Sequence, residues 1–142
     1  DTMLSISKEE LTHFEMVHEK IKQRGFKLGM ERKDDYVNDL YKFMRKGYKR
    51  DIVLIDRLLF AAMVEARSCE RFRILSEQIN DEDLRNFYRE LMISEANHYT
   101  TFLGFARQYG NAVEDVNKRW QQWLDYEAEV IRNYSKKETM HG

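Results

Sequence analysis

The sequence predicts an all-α fold, a single-domain antiparallel helical bundle. Three observations predict it. The 142 residues include no proline and only six glycines, so few positions interrupt a helix. Glu, Lys, Leu, Met and aromatic residues are abundant, a composition that favours helix over sheet. Apolar residues recur three and four apart in five stretches, each tracing one face of a helix.

The first helix is expected from about Ser7 to Arg24, stopping near Gly25, with the stripe Glu10, Phe14, Val17 and Ile21. The second is short, about Asp35 to Lys46, and its face is Tyr36, Leu40, Tyr41 and Met44. Asp34 suits its N-cap and Gly47 its C-terminal stop. The third is long, about Asp51 to Ile79, with Leu54, Leu58, Ala61, Ala62, Cys69, Phe72 and Ile79 in its stripe. A tight polar turn at Asn80-Asp81 leads to the fourth, which runs to about Tyr109 on Leu84, Tyr88, Leu91, Met92, Tyr99, Phe102 and Ala106. Gly110-Asn111 breaks it. The fifth, about Val113 to Tyr134, carries Val116, Trp120, Trp123, Leu124, Ile131 and Tyr134. The polar tail SKKETMHG is expected to fray. No composition shift, low-complexity tract or solenoid repeat divides residues 1–142.

Aromatic residues make up 13% of the chain, enough for a substantial core despite 35% charged residues. The formal net charge of -1 gives no global argument for nucleic-acid binding, so any RNA site must be local. Cys69 is the sole cysteine, which excludes an intrachain disulfide and points to a reducing, cytoplasmic setting. The opening DTMLSISKEE has neither the apolar run nor the basic leader of a secretory signal. No apolar stretch approaches the ~20 residues that span a bilayer.

Three glutamates occupy positions that a soluble helix normally reserves for apolar side chains. At about 100° per residue, Glu10 falls within about 40° of Phe14, Val17 and Ile21. Glu65 and Glu95 each fall within about 60° of the stripe residues around them. Burying an unpaired carboxylate costs several kcal/mol. Three together would exceed the ~5–15 kcal/mol net stability of a typical domain. A multivalent cation would compensate, and oxygen ligands with imidazole suit iron or manganese.

The histidines agree. Glu-x-x-His occurs at Glu10/His13 and again at Glu95/His98. An i, i+3 pair shares a helix face, so both side chains can reach one metal. Glu65 and Glu95 each lie fifteen residues from Asn80. In a hairpin folded at that turn they stand at one height, roughly 22 Å from it. By the same phase Glu70, about 140° around from Glu65, is not a ligand. Blander readings exist. Ser7-x-x-Glu10 also reads as a capping box, and Glu65 alone also reads as a partner of Arg67 or Arg71.

Two helices giving Glu-x-x-His, with a lone Glu from each of two others, resemble the ligand set of ferritin-like di-iron bundles. The stretch from Gly25 to Arg50 would be the long crossover. EARSCERF (Glu65 to Phe72), FYRELMISEANHYTTF (Phe87 to Phe102) and EELTHFE (Glu9 to Glu15) resemble the tRNA 2-methylthio-N6-isopentenyladenosine hydroxylases, the MiaE family. The resemblance extends from Ser7 through WLDYEAEVI in the fifth segment. It implies a ferritin-like bundle with an extra C-terminal helix and an oxygen-dependent monooxygenase. The substrate implied is the isopentenyl group of the modified adenosine beside the anticodon. Two iron ions, dioxygen as co-substrate, tRNA and an unidentified electron donor are implied with it. By position, Glu10, His13, Glu65, Glu95 and His98 would be the metal ligands. A monomer or small homo-oligomer is expected.

One departure from the family pattern is plain. The family's first helix, which supplies a further glutamate, has no counterpart before Ser7. An upstream helix, the fifth helix or another subunit is expected to fill that flank, which otherwise exposes apolar side chains of the Glu10 and Glu65 helices. Glu127, central on the fifth stripe, reads either as a substitute ligand or as an arginine partner, the commoner role. Cys69 reads as packing. Tyr88 and Tyr99, flanking Glu95, read equally as hydrogen-bonding neighbours of the site or as core. His18 and His141 have no assigned role. Two basic clusters, Arg45, Lys46, Lys49, Arg50 and Lys20, Lys22, Arg24, Lys27, read as solvated surface or as phosphate contacts. The competing functions are an iron-storing or iron-oxidising ferritin relative and a metal-free interaction module.

Overall fold

A computed structural model of the chain describes residues 1–30 and 33–134. The SKKETMHG tail, with His141, lies outside the described residues. These form helices α1 (Thr2–Gln23), α2 (Asp35–Lys42), α3 (Arg50–Gln78), α4 (Glu82–Gly110) and α5 (Val116–Arg132), with no strand among them. They fall into two compact units, Asp1–Lys33 and a second beginning at Asp34. No helix of the described residues is long and apolar enough to cross a membrane.

In the first unit, α1 begins earlier than the stripe suggests. Ser7 lies inside the helix, where its Oγ donates to the Met3 carbonyl at 2.9 Å, so the capping-box reading fails. The helix ends as expected. Gly25 adopts φ 74°, and Phe26 N–H donates back to the Ile21 carbonyl at 3.1 Å, a closure that glycine permits without a Cβ clash. Leu4, Leu11 and Phe14 are exposed on α1.

The second unit is built on the α3–α4 hairpin, whose helices pack along their lengths. Three of its helices start on aspartate caps. Asp34, Asp81 and Asp115 accept from the backbone N–H of Val37, Leu84 and Lys118 at 3.1, 3.0 and 3.0 Å, satisfying amides that have no helical partner. The Asp115 cap explains why α5 starts at Val116 and not Val113. Helix α2 stops at Lys42, short of Lys46, because the residues after it turn inward. Phe43 stacks on Tyr126 with ring centroids 4.4 Å apart, and Arg45 N–H donates to Asp56 at 2.8 Å.

Helix α5 packs on α2, α3 and α4. The core joins Tyr36, Leu40, Ile55, Leu59, Ala62, Met63, Leu103, Ala106, Val116 and Trp123. Two stripes are rotated from their expected phase. Leu54 is exposed while Ile55 and Leu59 are buried, because α2 and α5 cover the first half of α3 from a second side. On α5, Leu124 and Ile131 are exposed and the buried face is Val116, Arg119, Trp123, Glu127 and Val130.

Two charged residues on that face belong to buried networks. Asp56 is fully buried. It accepts from Arg119 Nε and Nη2 at 2.9 and 2.8 Å and from Arg45 Nε and Nη2 at 3.0 and 2.8 Å. Arg45 also pairs with Glu114, after α4. Glu127 accepts from Arg67 Nε at 2.9 Å and from the Tyr36 hydroxyl at 3.1 Å. Burial, then the Glu127 charge, pushes the Tyr36 phenol up and keeps it a donor.

Gly110 marks the tightest approach. A Cβ there would sit 2.7 Å from Val116 Cγ2 and 2.8 Å from Ile55 Cγ1. Both neighbours are buried, β-branched and stiff. Gly110→Ala is therefore expected to cost about 1–3 kcal/mol, read from urea unfolding; a neutral result would show that the α4–α5 corner yields.

Candidate metal centre

Glu65 and Glu95 face each other across the α3–α4 hairpin, as their equal distance from the turn requires. Glu65, Glu95 and His98 each offer a ligand atom within 4.8 Å of one another. Glu95 and His98 share one face of α4, with His98 Nδ1 4.0 Å from Glu95 Oε2. Both are buried, at 5% and 2% exposure, and Glu65 is half-buried. Two carboxylates and an imidazole in a buried setting form a donor set that fits iron or manganese and that a cation would stabilise.

In the first unit, His13 Nδ1 lies 3.4 Å from Glu10 Oε1, so the i, i+3 pair shares one face of α1. The Glu10 side chain is 44% exposed, more than its stripe position suggests. Phe14 beside it is also exposed and stacks on His18 at 6.2 Å.

The surroundings sort the remaining candidates. Glu70 is exposed and paired with Arg67, away from the Glu65 face. Glu127 takes the arginine-partner role, through Arg67. Burial first, then the Glu95 carboxylate, pushes the Cys69 thiol up, which favours a neutral packing group over a thiolate. Tyr88 stacks on Phe72 with centroids 5.8 Å apart, and Tyr99 packs on Trp120 at 6.2 Å. A cleft of ≈ 430 Å³ opens beside Tyr99, its wall mixing Met63, Ala66, Cys69 and Leu124 with the charged Arg67, Glu70, Arg73 and Glu127.

Sequence reasoning missed the Arg45–Asp56–Arg119 network. Arg119, four residues before Trp123 on the apolar face of α5, was the available signal. It also corrects the first basic cluster: Arg45 is held internally and is not a free phosphate contact.

All of residues 1–142 match the family model described as tRNA-(MS[2]IO[6]A)-hydroxylase (MiaE). The tRNA 2-(methylsulfanyl)-N(6)-isopentenyladenosine(37) hydroxylase of Salmonella typhimurium is 36% identical over 142 residues, 100% of this chain and 51% of that protein. The protein of the same name from Pseudomonas putida is 38% identical over 112 residues, 79% of this chain and 53% of its own. The chain thus spans about half the length of the curated relatives it matches. Among solved structures, "Protein 43 with aldehyde deformylating oxygenase activity from Synechococcus" matches with a TM-score of 0.82 and 31% identity, over 94% of this chain and 67% of that one. The all-helical fold is ferritin-like, as the Glu-x-x-His pattern suggests. On the match to its whole length, the chain belongs to the MiaE family.

Proposed function

We propose that this chain, acting as one ferritin-like domain, carries the di-iron centre of an oxygen-dependent hydroxylase. Its substrate would be the isopentenyl group of 2-methylthio-N6-isopentenyladenosine in tRNA. The observation that carries the reading is the convergence of Glu65, Glu95 and His98 donors in a buried setting. Glu10 and His13 of α1 would complete the proposed ligand set, giving two Glu-x-x-His pairs together with Glu65. Bound iron supplies dioxygen activation, which no amino-acid side chain provides.

The chain's own residues do the rest. Glu65 and Glu95 would supply the negative charge that holds cations, from the facing sides of α3 and α4. His98 offers an imidazole nitrogen donor, and its i, i+3 spacing from Glu95 fixes both on one face. We place the activity in the cytoplasm, with tRNA as substrate and an electron donor of unknown identity as partner.

Nucleoside analysis of tRNA from cells with and without the gene tests this reading. The hydroxylated nucleoside should disappear with the gene, and iron-reconstituted protein with a reductant and dioxygen should restore it. Oxidation of ferrous iron with no change in the nucleoside would overturn the hydroxylase reading in favour of an iron-oxidising ferritin relative.

A further inference from the structure

We propose that the segment from Tyr41 to Arg57 is a docking surface for unpaired RNA, formed by Tyr41 and Tyr48 among Lys46, Lys49, Arg50 and Arg57. The choice of RNA as occupant rests on the tRNA-hydroxylase reading. The surface itself rests on how this segment distributes its charge.

Its cations divide into two sets. Lys42 pairs with Asp39, and Arg45 is held by Asp56 and Glu114. Lys46, Lys49, Arg50 and Arg57 are all exposed, and among the described residues none of them pairs with a carboxylate. Asp51 is the only exposed acid from Lys46 to Arg57. In a chain of net charge -1, such a concentration of unneutralised charge is local and has polyanion character as its complement.

The aromatic residues make the match more specific than charge alone. Tyr48 is 59% exposed and Tyr41 49%, although large aromatic side chains usually bury most of their surface. Each ring has a cation over one face. The anchored Arg45 guanidinium lies 6.0 Å from the Tyr48 centroid, and Lys46 Nζ lies 4.7 Å from that of Tyr41. Tyr41 also meets Phe60 edge to face at 6.0 Å. Rings held in place, flanked by cations and open to solvent are the elements on which unpaired bases stack while phosphates are neutralised. A base-paired helix offers phosphates but no free base face.

The position on α3 connects this surface to the candidate centre. Arg50 and Arg57 lie seven residues apart and share a helix face with the exposed Leu54. Arg57 precedes Glu65 by eight residues, about 12 Å along the axis, a distance a nucleotide can bridge. Lys49 and Arg50 also stand at the positive end of the α3 dipole, where cations are unfavourable and a phosphate is favourable.

The test is binding of an anticodon stem-loop RNA and of a fully paired RNA duplex across a salt series. A variant with Lys46→Gln, Lys49→Gln, Arg50→Gln and Arg57→Gln should lose at least about tenfold in affinity for the stem-loop, and its salt slope should fall by about three. Tyr48→Ala should weaken stem-loop binding about fivefold or more with the slope unchanged and the duplex unaffected, and Tyr48→Phe should restore it. Circular dichroism establishes that the surface variants fold. Unchanged stem-loop affinity in the fourfold variant overturns the surface. So does a Tyr48→Ala loss of the same size on the duplex, or wild-type protein that binds neither RNA. Stem-loop binding that depends on these residues, in protein that leaves the nucleoside unmodified, supports the surface and overturns the hydroxylase reading alone.

Discussion

Replacing Glu95 or His98 with alanine is expected to abolish hydroxylation while leaving the helical content intact. The two side chains are buried donors on α4, facing Glu65 across the hairpin. Loss even of residues that only support metal ligands typically costs 10–100-fold, so loss of a ligand should cost at least ~10²-fold in turnover. The apolar residues that pack α4, Phe87, Leu91, Leu103 and Ala106, are untouched by either change. A milder substitution separates function from stability. Glu95→Gln keeps the side chain's shape and removes one ligand charge, so it should lower iron retention while leaving the helical content intact. Turnover near the unmutated rate in the alanine variants would remove Glu95 and His98 from the site. An apo-protein destabilised by Glu95→Gln would show that this carboxylate serves the fold.

Replacing Asp56 with alanine should produce the largest loss of stability, about 3–5 kcal/mol. The reason is what it leaves behind. Arg119 is buried and Arg45 partly so, and both lose the acceptor they converge on. Adding Arg119→Met to the Asp56→Ala protein should recover part of the loss, since the stranded charge goes with it. The same network predicts acid sensitivity. Burial works to raise the Asp56 carboxyl, but hydrogen bonds from Arg119 and Arg45 outweigh it and hold the group at about 2. A carboxyl depressed on folding stabilises the protein above its unfolded value near 4. That contribution, roughly 2 kcal/mol, is lost as the pH falls from about 4 through 2. Denaturant unfolding at pH 7 and pH 2.5 should show the pH effect in the wild type and its absence in Asp56→Ala. A cost below about 1 kcal/mol at neutral pH would mean that the pairs merely offset their own desolvation.

Much of this was legible in the sequence because helices impose a single period. Glu95 and His98 betrayed themselves as polar residues on an apolar stripe, and the symmetric placement of Glu65 and Glu95 about Asn80 fixed their meeting across the hairpin. The phase of α5 was less legible. Its buried face carries Arg119 and Glu127, whose charge hides them from an apolar pattern, while Leu124 and Ile131 lie outside it. The first half of α3 misled for a related reason: a helix covered from two sides has no single stripe, so Leu54 stood in for Ile55. The end of α2 depends on Phe43 and Arg45 docking onto residues far along the chain, which no local signal encodes.

Glu65, Glu95 and His98, with Glu10 and His13, are the proposed iron ligands. Quantification of iron retained per chain after anaerobic loading with ferrous iron and desalting, compared with a Glu65→Ala/Glu95→Ala variant of unchanged helical content, tests this assignment most directly. The expected result is iron retained clearly above background in the wild-type chain and near-background iron in the variant. Equal retention in the two proteins, or background iron in the wild type, would contradict the assignment.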